Sequence, residues 1–193
     1  AMDEAGGLGI IHRYNTILEQ VDIVNEIESI RPNTRFGAAI GVTGEYENRA
    51  VSLYDAGVRI FCLDVAHGHH TLMKYALKNL RKIFGKEVHL MAGNIATLEA
   101  FNDLSDWGAD SIRVGVGGGS ICSTRIQTGH GVPTLQSVID CAASDRDTVL
   151  IADGGIKNSG DMVKALAAGA DHEAALVAVV DRLIAETTQM PEP

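Results

Sequence analysis

Residues 115–133 read GVGGGSICSTRIQTGHGVP, a glycine-rich stretch that carries one thiol, Cys122, between Ser120 and Thr124-Arg125. Glycines let backbone amides approach an anion closely. A cysteine with cationic or dipolar neighbours gains thiolate character, and the thiolate is the nucleophile. One peptide therefore combines an anion cradle with a nucleophile. A flexible loop with an incidental cysteine is the competing reading. Other reactive groups cluster at Asp64, His67, His69 and His70, at Gly93-Asn94, and at Asp153-Gly154-Gly155. The histidines lack the carboxylate–histidine spacing of a metal site and read as loop or cofactor-edge residues. Cys62, mid-strand, and Cys141, on a helix, read as structural thiols.

These groups need a scaffold, and the pattern between them supplies one. Short apolar runs with little alternation predict strands over 8–12, 36–42, 59–65, 88–94, 111–117 and 149–154. Continuous apolarity suits parallel strands buried on both faces. Helical spacing of apolar residues predicts helices over 18–29, 45–56, 71–84, 98–107, 135–142 and 160–168. Three helix ends repeat one punctuation, DAGV at 55–58, WGAD at 107–110 and AGAD at 168–171, where a glycine stops the helix. Such a βα repeat builds either a barrel or an open doubly wound sheet. Polar groups end four consecutive strands, whereas an open sheet gathers them at one switch point. The expected fold is α/β, a (β/α)8 TIM barrel incomplete at both ends. The expected core is 1–171. Residues 172–193 are expected as a divergent helix and tail, with Asp171 as its N-cap.

Bulk properties narrow the function classes. The 193 residues are 46% hydrophobic and 21% charged, enough for one sizeable core. A net charge of −9 disfavours nucleic acid or an anionic membrane as partner, so any phosphate site must be local. No run of 18 apolar residues suggests a membrane span. Three cysteines without metal spacing suggest free thiols in a reducing, cytoplasmic setting.

Several segments, in order, extend the reading: GGLGIIHRY at 6–14, LDVAHGHH at 63–70, MAGNIAT at 91–97, GVGGGSICSTR at 115–125, TGHGVP at 128–133 and ADGGIKNSGDMVKALAAGAD at 152–171. Through them the chain resembles the inosine monophosphate (IMP) dehydrogenase and guanosine monophosphate (GMP) reductase family. The resemblance implies a (β/α)8 barrel acting on purine nucleotides (IMP, XMP or GMP), with NAD as cofactor (NADPH in the reductases), K+ as a loop-ordering ion and a homo-oligomer, a tetramer if family-like. It implies Cys122 as nucleophile on purine C2, with Thr124 beside the reacting carbon. Ser120, Gly154 and Gly155 fall at nucleotide phosphate contacts, and Asp153 at the nucleotide ribose. Asp64 falls at the nicotinamide ribose, and Asn94, Arg113 and Gly115 line the cofactor and base pocket. Backbone carbonyls of Gly117, Gly119 and Cys122 correspond to part of a monovalent-cation site.

The chain also departs from the pattern. Gly118 stands where the family usually has proline, which is expected to loosen the cysteine loop. CBS domains are missing between Ile30 and Phe36. No Gly-Ser phosphate pair follows Ala170; acidic residues, Asp181 among them, occupy that region instead. The flap, which in dehydrogenases brings a water activator, has no counterpart. The resemblance favours NAD-dependent oxidation of IMP to XMP. NADPH-dependent deamination of GMP to IMP is the alternative, and an inactive nucleotide-binding barrel fragment is a third reading.

Overall fold

Six short apolar strands pair side by side in the order in which the chain makes them. The structure, a computed structural model, describes residues 2–3, 6–119 and 122–171. Its strands are β1 (Gly9–Ile11), β2 (Phe36–Ile40), β3 (Ile60–Asp64), β4 (His89–Ile95), β5 (Ser111–Val114) and β6 (Val149–Ala152). They form one sheet in the order β1-β2-β3-β4-β5-β6, every pair parallel. Each strand lies where the apolar runs place it, trimmed by a few residues at the ends. The order never reverses, so no switch point exists among the described residues. The described residues thus supply six strands of a (β/α)8 barrel. The helix and tail expected over 172–193 lie outside them.

Helices cover the sheet: α1 (Ile17–Ile30), α2 (Tyr46–Asp55), α3 (Thr71–Phe84), α4 (Leu98–Asp106), α5 (Thr124–Thr128), α6 (Thr134–Cys141) and α7 (Ser159–Ala167). Six of them match the sequence pattern; α5, inside the cysteine loop, was not foreseen. Four of the seven, α1, α3, α4 and α7, start under a side-chain cap. Thr16 and Glu19 form a capping box on α1, Thr97 accepts from Ala100 on α4, and Asn158 accepts from Asp161 on α7. Helix α3 shows why the sheet stays covered. Met73, Ala76, Leu77, Leu80 and Phe84 recur on one face and are buried. They meet strand residues such as Phe61, Leu63 and Leu90 in a single core.

The repeated helix ends behave as their sequence suggests. Gly57, Gly108 and Gly169 adopt positive φ values of 111°, 108° and 103°. In two repeats an aspartate follows and ties the turn to the strand just passed. The Leu90 amide donates to Asp110 Oδ2, and the Leu150 amide donates to Asp171 Oδ2, each at 2.7 Å. Asp171 therefore serves β6 as Asp110 serves β4. Arg81, near the end of α3, locks this lower rim further. It donates to the carbonyls of Gly108, Gly85 and Val88 at 2.8–2.9 Å and pairs with Asp110. One side chain thus satisfies three carbonyls from two connections, α3–β4 and α4–β5. Arg81→Met keeps the aliphatic stem but strands those acceptors, and is expected to cost about 2–3 kcal/mol. Urea unfolding checks this; a loss below about 0.5 kcal/mol would show that the clamp is a surface ornament.

Candidate functional site

Strand ends β3 to β6 each deliver one polar group to the same place, and an arginine joins them. Arg113 is in β5, one strand from Asp153 beyond β6 and two strands from Asp64 at the end of β3. Its Nη1 donates to Asp64 Oδ1 at 3.0 Å and its Nη2 to Asp153 Oδ2 at 2.6 Å. Asn94 of β4 adds its amide nitrogen, which donates to the same Asp153 oxygen at 2.5 Å and to the Gly115 carbonyl at 2.8 Å. Side chains of Arg113 and Asp153 are only 15% and 7% exposed, while Asp64 is 32% exposed. Charges this deep persist only when paired and hydrogen-bonded. Burial opposes the arginine's charge, but the Cys62 sulfur and the carboxylates of Asp153 and Asp64 outweigh it and hold its pKa above the ordinary value. Two carboxylates around one guanidinium leave the cluster a net negative charge. Asp64 keeps an exposed edge for a donor-rich ligand.

The cysteine loop closes over this cluster. Gly115 leaves β5 with φ 152°, and a Cβ there would lie 1.9 Å from the Asp153 carbonyl, so only glycine lets the β5 and β6 exits approach. The Val132 amide donates to the Val116 carbonyl at 3.0 Å and clasps the loop ends. The Cys122 amide donates to the Gly119 carbonyl at 3.3 Å in a tight turn. Helix α5 then starts, and Gly129 ends it at φ 70°. A Cβ at Gly118 would lie 2.2 Å from Thr134 Oγ1, the first residue of α6, so the glycine makes room for a neighbouring side chain.

Cys122 has the electrostatics of a reactive thiol. Its pKa lies below the ordinary cysteine value, chiefly because the Thr124 hydroxyl donates to the sulfur. The Thr124 and Gly117 amides and the charge of Arg125 act in the same direction. The other two thiols lie deep in the core. Burial pushes Cys62 up, and burial with the Asp140 charge pushes Cys141 up to about 12. All three cysteines are free.

A cavity of about 360 Å³ brings Cys122 and Thr124 together with Asp64, Asn94, Arg113, Gly115 and Gly117. Asp153 stands behind it, reached through Arg113 and Asn94. Gly154 and Gly155 line a separate hollow of about 350 Å³, with Gly118, Thr134 and Lys164. Ser120 lies outside the described residues. Arg13 and Tyr14 also line the cysteine cavity and were not singled out from sequence, although they follow β1 as the other groups follow their strands. Two of the histidines have structural partners. His70 caps α3 through Nδ1, and His69 meets Asp103 at 2.9 Å and stacks on Trp107. No group of three or more His, Cys, Asp or Glu among the described residues could hold a metal ion.

Fold and site together define a parallel (β/α) barrel with a thiol of lowered pKa among charged and polar strand-end groups. Residues 1–191 match the IMP dehydrogenase / GMP reductase domain, and the chain belongs to this family of purine-nucleotide oxidoreductases. It is 44% identical over 178 residues to GMP reductase of Leishmania major, covering 91% of this chain and 35% of that protein. It is 41% identical over 171 residues to inosine-5'-monophosphate dehydrogenase of Nitrosopumilus maritimus, covering 88% and 36%. The crystal structure of inosine 5' monophosphate dehydrogenase from Legionella pneumophila superposes with a TM-score of 0.78 at 45% identity, covering 88% of this chain and 50% of that one. The chain thus spans about a third of the length of these curated relatives and half of the solved chain. No helix among the described residues is long and apolar enough to cross a membrane.

The thiol environment generates a prediction. Alkylation follows the thiolate, so the rate at Cys122 rises with pH and levels off below the free-cysteine range of about 8.5. Cys62 and Cys141 stay unlabelled under native conditions. Thr124→Val removes the hydroxyl donor, moves the Cys122 midpoint upward and slows labelling at pH 7 several-fold. Peptide mapping after iodoacetamide reads all three; a Cys122 midpoint at or above that of free cysteine would contradict this electrostatics.

Proposed function

We propose that this barrel oxidises IMP to XMP through a covalent bond to Cys122, as an IMP-dehydrogenase-type enzyme. The observation that carries the reading is the convergence of an activated Cys122 with Asp64, Asn94 and Arg113 in one strand-end cavity. The thiolate adds to C2 of the purine. The C2 hydrogen leaves with its electron pair, and water then releases XMP and the free thiol. Splitting one difficult substitution into two steps is what a cysteine offers near neutral pH.

Each remaining residue has a task in that scheme. Thr124 donates to the sulfur and keeps it anionic before attack. Asp153, held by Asn94 and Arg113, accepts hydrogen bonds from the nucleotide ribose. Gly154, Gly155 and Ser120 supply phosphate contacts. Asp64, Asn94, Arg113 and Gly115 fit the nicotinamide side, where Asp64 keeps an exposed carboxylate edge for ribose hydroxyls. Bound NAD supplies the hydride acceptor. Neutral carbonyl oxygens such as those of Gly117, Gly119 and Cys122 suit K+, which would order the cysteine loop. A homo-oligomer in the cytoplasm completes the reading.

A second reading is GMP reductase, with NADPH and the same thiol displacing the 2-amino group. The 44% identity to the Leishmania major GMP reductase over most of this chain favours it. A barrel that forms the adduct without releasing it is a third reading.

One experiment separates these. Stoichiometric protein is mixed with IMP, NAD+ and K+, and NADH absorbance and intact mass are followed. The expected outcome is a burst of about one NADH per Cys122 with a nucleotide-sized adduct, both lost in Cys122→Ala. NADPH oxidation with GMP and no burst with IMP would shift the assignment to the reductase. Silence in both assays, in folded protein, would overturn the enzymatic reading.

A further inference from the structure

Cys62 lies mid-strand in β3, 1% exposed, in register with Ala39 of β2 and Met91 of β4. Asp64 follows two residues later, so both side chains project from the same face of the sheet. That face also holds Arg113, and the Cys62 sulfur accepts from its Nη1 at 3.3 Å. The same nitrogen donates to Asp64, and Nη2 donates to Asp153. Nε is shielded from solvent and has no partner among the described residues. The sulfur therefore supports the guanidinium at the floor of the cavity.

We propose that Cys62 is a positioning residue for Arg113: its sulfur fixes the guanidinium in the orientation that bridges Asp64 and Asp153. The chemistry of a buried thiol suits this task. It can accept from the cation without adding a negative charge to a cluster that already holds two carboxylates. Burial keeps the thiol protonated, which preserves that neutrality. Without an acceptor at position 62, Nη1 keeps Asp64 alone, and one of its N–H groups joins Nε without a partner. Unpartnered buried donors are costly, and the cation relieves the cost by rotating out of the bridge. Both carboxylates then lose the common partner that sets their spacing. Sequence pattern alone gives Cys62 a packing role, because the contact to Arg113 spans two strand pairings.

The consequence for ligand binding rests on the proposed nucleotide reading, so the test has an arm that does not. Cys62→Val fills the site without an acceptor, Cys62→Ala removes it outright, and Cys62→Ser restores a polar acceptor. The first arm is nitrogen NMR of the Arg113 guanidinium, assigned by its loss in Arg113→Lys. Wild type and Cys62→Ser are expected to show separate, slowly exchanging Nη signals; Cys62→Val and Cys62→Ala are expected to show them merged by rotation. The second arm is IMP affinity by calorimetry. Cys62→Val is expected to weaken it about fivefold, the factor an ordinary lost hydrogen bond carries, with Cys62→Ser within about twofold of wild type. Identical guanidinium signals in all four proteins would overturn the proposal, as would a serine variant as impaired as the valine one. Should IMP fail to bind wild type, the nucleotide reading falls and the guanidinium signals alone decide the role of Cys62. Cys62→Val retains core volume, so a misfolded alanine variant leaves the comparison intact.

Discussion

One guanidinium between two carboxylates organises the upper end of this barrel. Arg113 is buried, and it is tolerable there because Asp64 and Asp153 approach from either side. Those carboxylates come from strands that never touch each other. Their meeting depends on the parallel register that sets Gly93 against Arg113 and Arg113 against Ile151. A slip of one residue in either pairing would turn Arg113 to the helix-covered face. The ion pairs are thus less a source of stability than a reason for one register to prevail.

The cysteine loop depends on the same arrangement. Gly115 must lie against the Asp153 carbonyl, which it can do only without a Cβ, and the Gly115 carbonyl is then tied to Asn94. Asn94 holds Asp153 as well, so the loop exit, the Asp153 carboxylate and β4 share one small network. Cys122 sits beyond this anchor, two residues before α5. Its activation is local, from Thr124 first and Arg125 last, while its position is global. Such a division suits a nucleophile that must meet a ligand held by other strands.

Much of this was legible in the sequence because parallel strands leave plain traces. Both faces of β2 are buried, and FGAAI shows it as an unbroken apolar run. The glycine stops at Gly57, Gly108 and Gly169 were equally plain, since few other residues accept that backbone. Most of the candidate site was legible too, as reactive residues at successive strand ends. The rest required neighbours distant in sequence. Nothing in its own segment shows that Thr134 crowds the position of Gly118. Arg13 and Tyr14 line the cavity from β1, but nothing in HRY distinguishes them from an ordinary exposed loop. Helix α5 is only five residues long and has no buried side chain, so it carries no apolar period to detect.

The central claim is that Cys122 lies within a nucleotide site whose ribose end is Asp153. Its most direct test is footprinting of the thiol: the alkylation rate at Cys122, mapped by mass spectrometry, with and without saturating IMP or GMP, in wild type and in Asp153→Asn. The account predicts strong protection of Cys122 by at least one of the two nucleotides in wild type, and its loss at the same concentration in Asp153→Asn. Equal rates with and without either nucleotide, in protein shown to be folded, would contradict it.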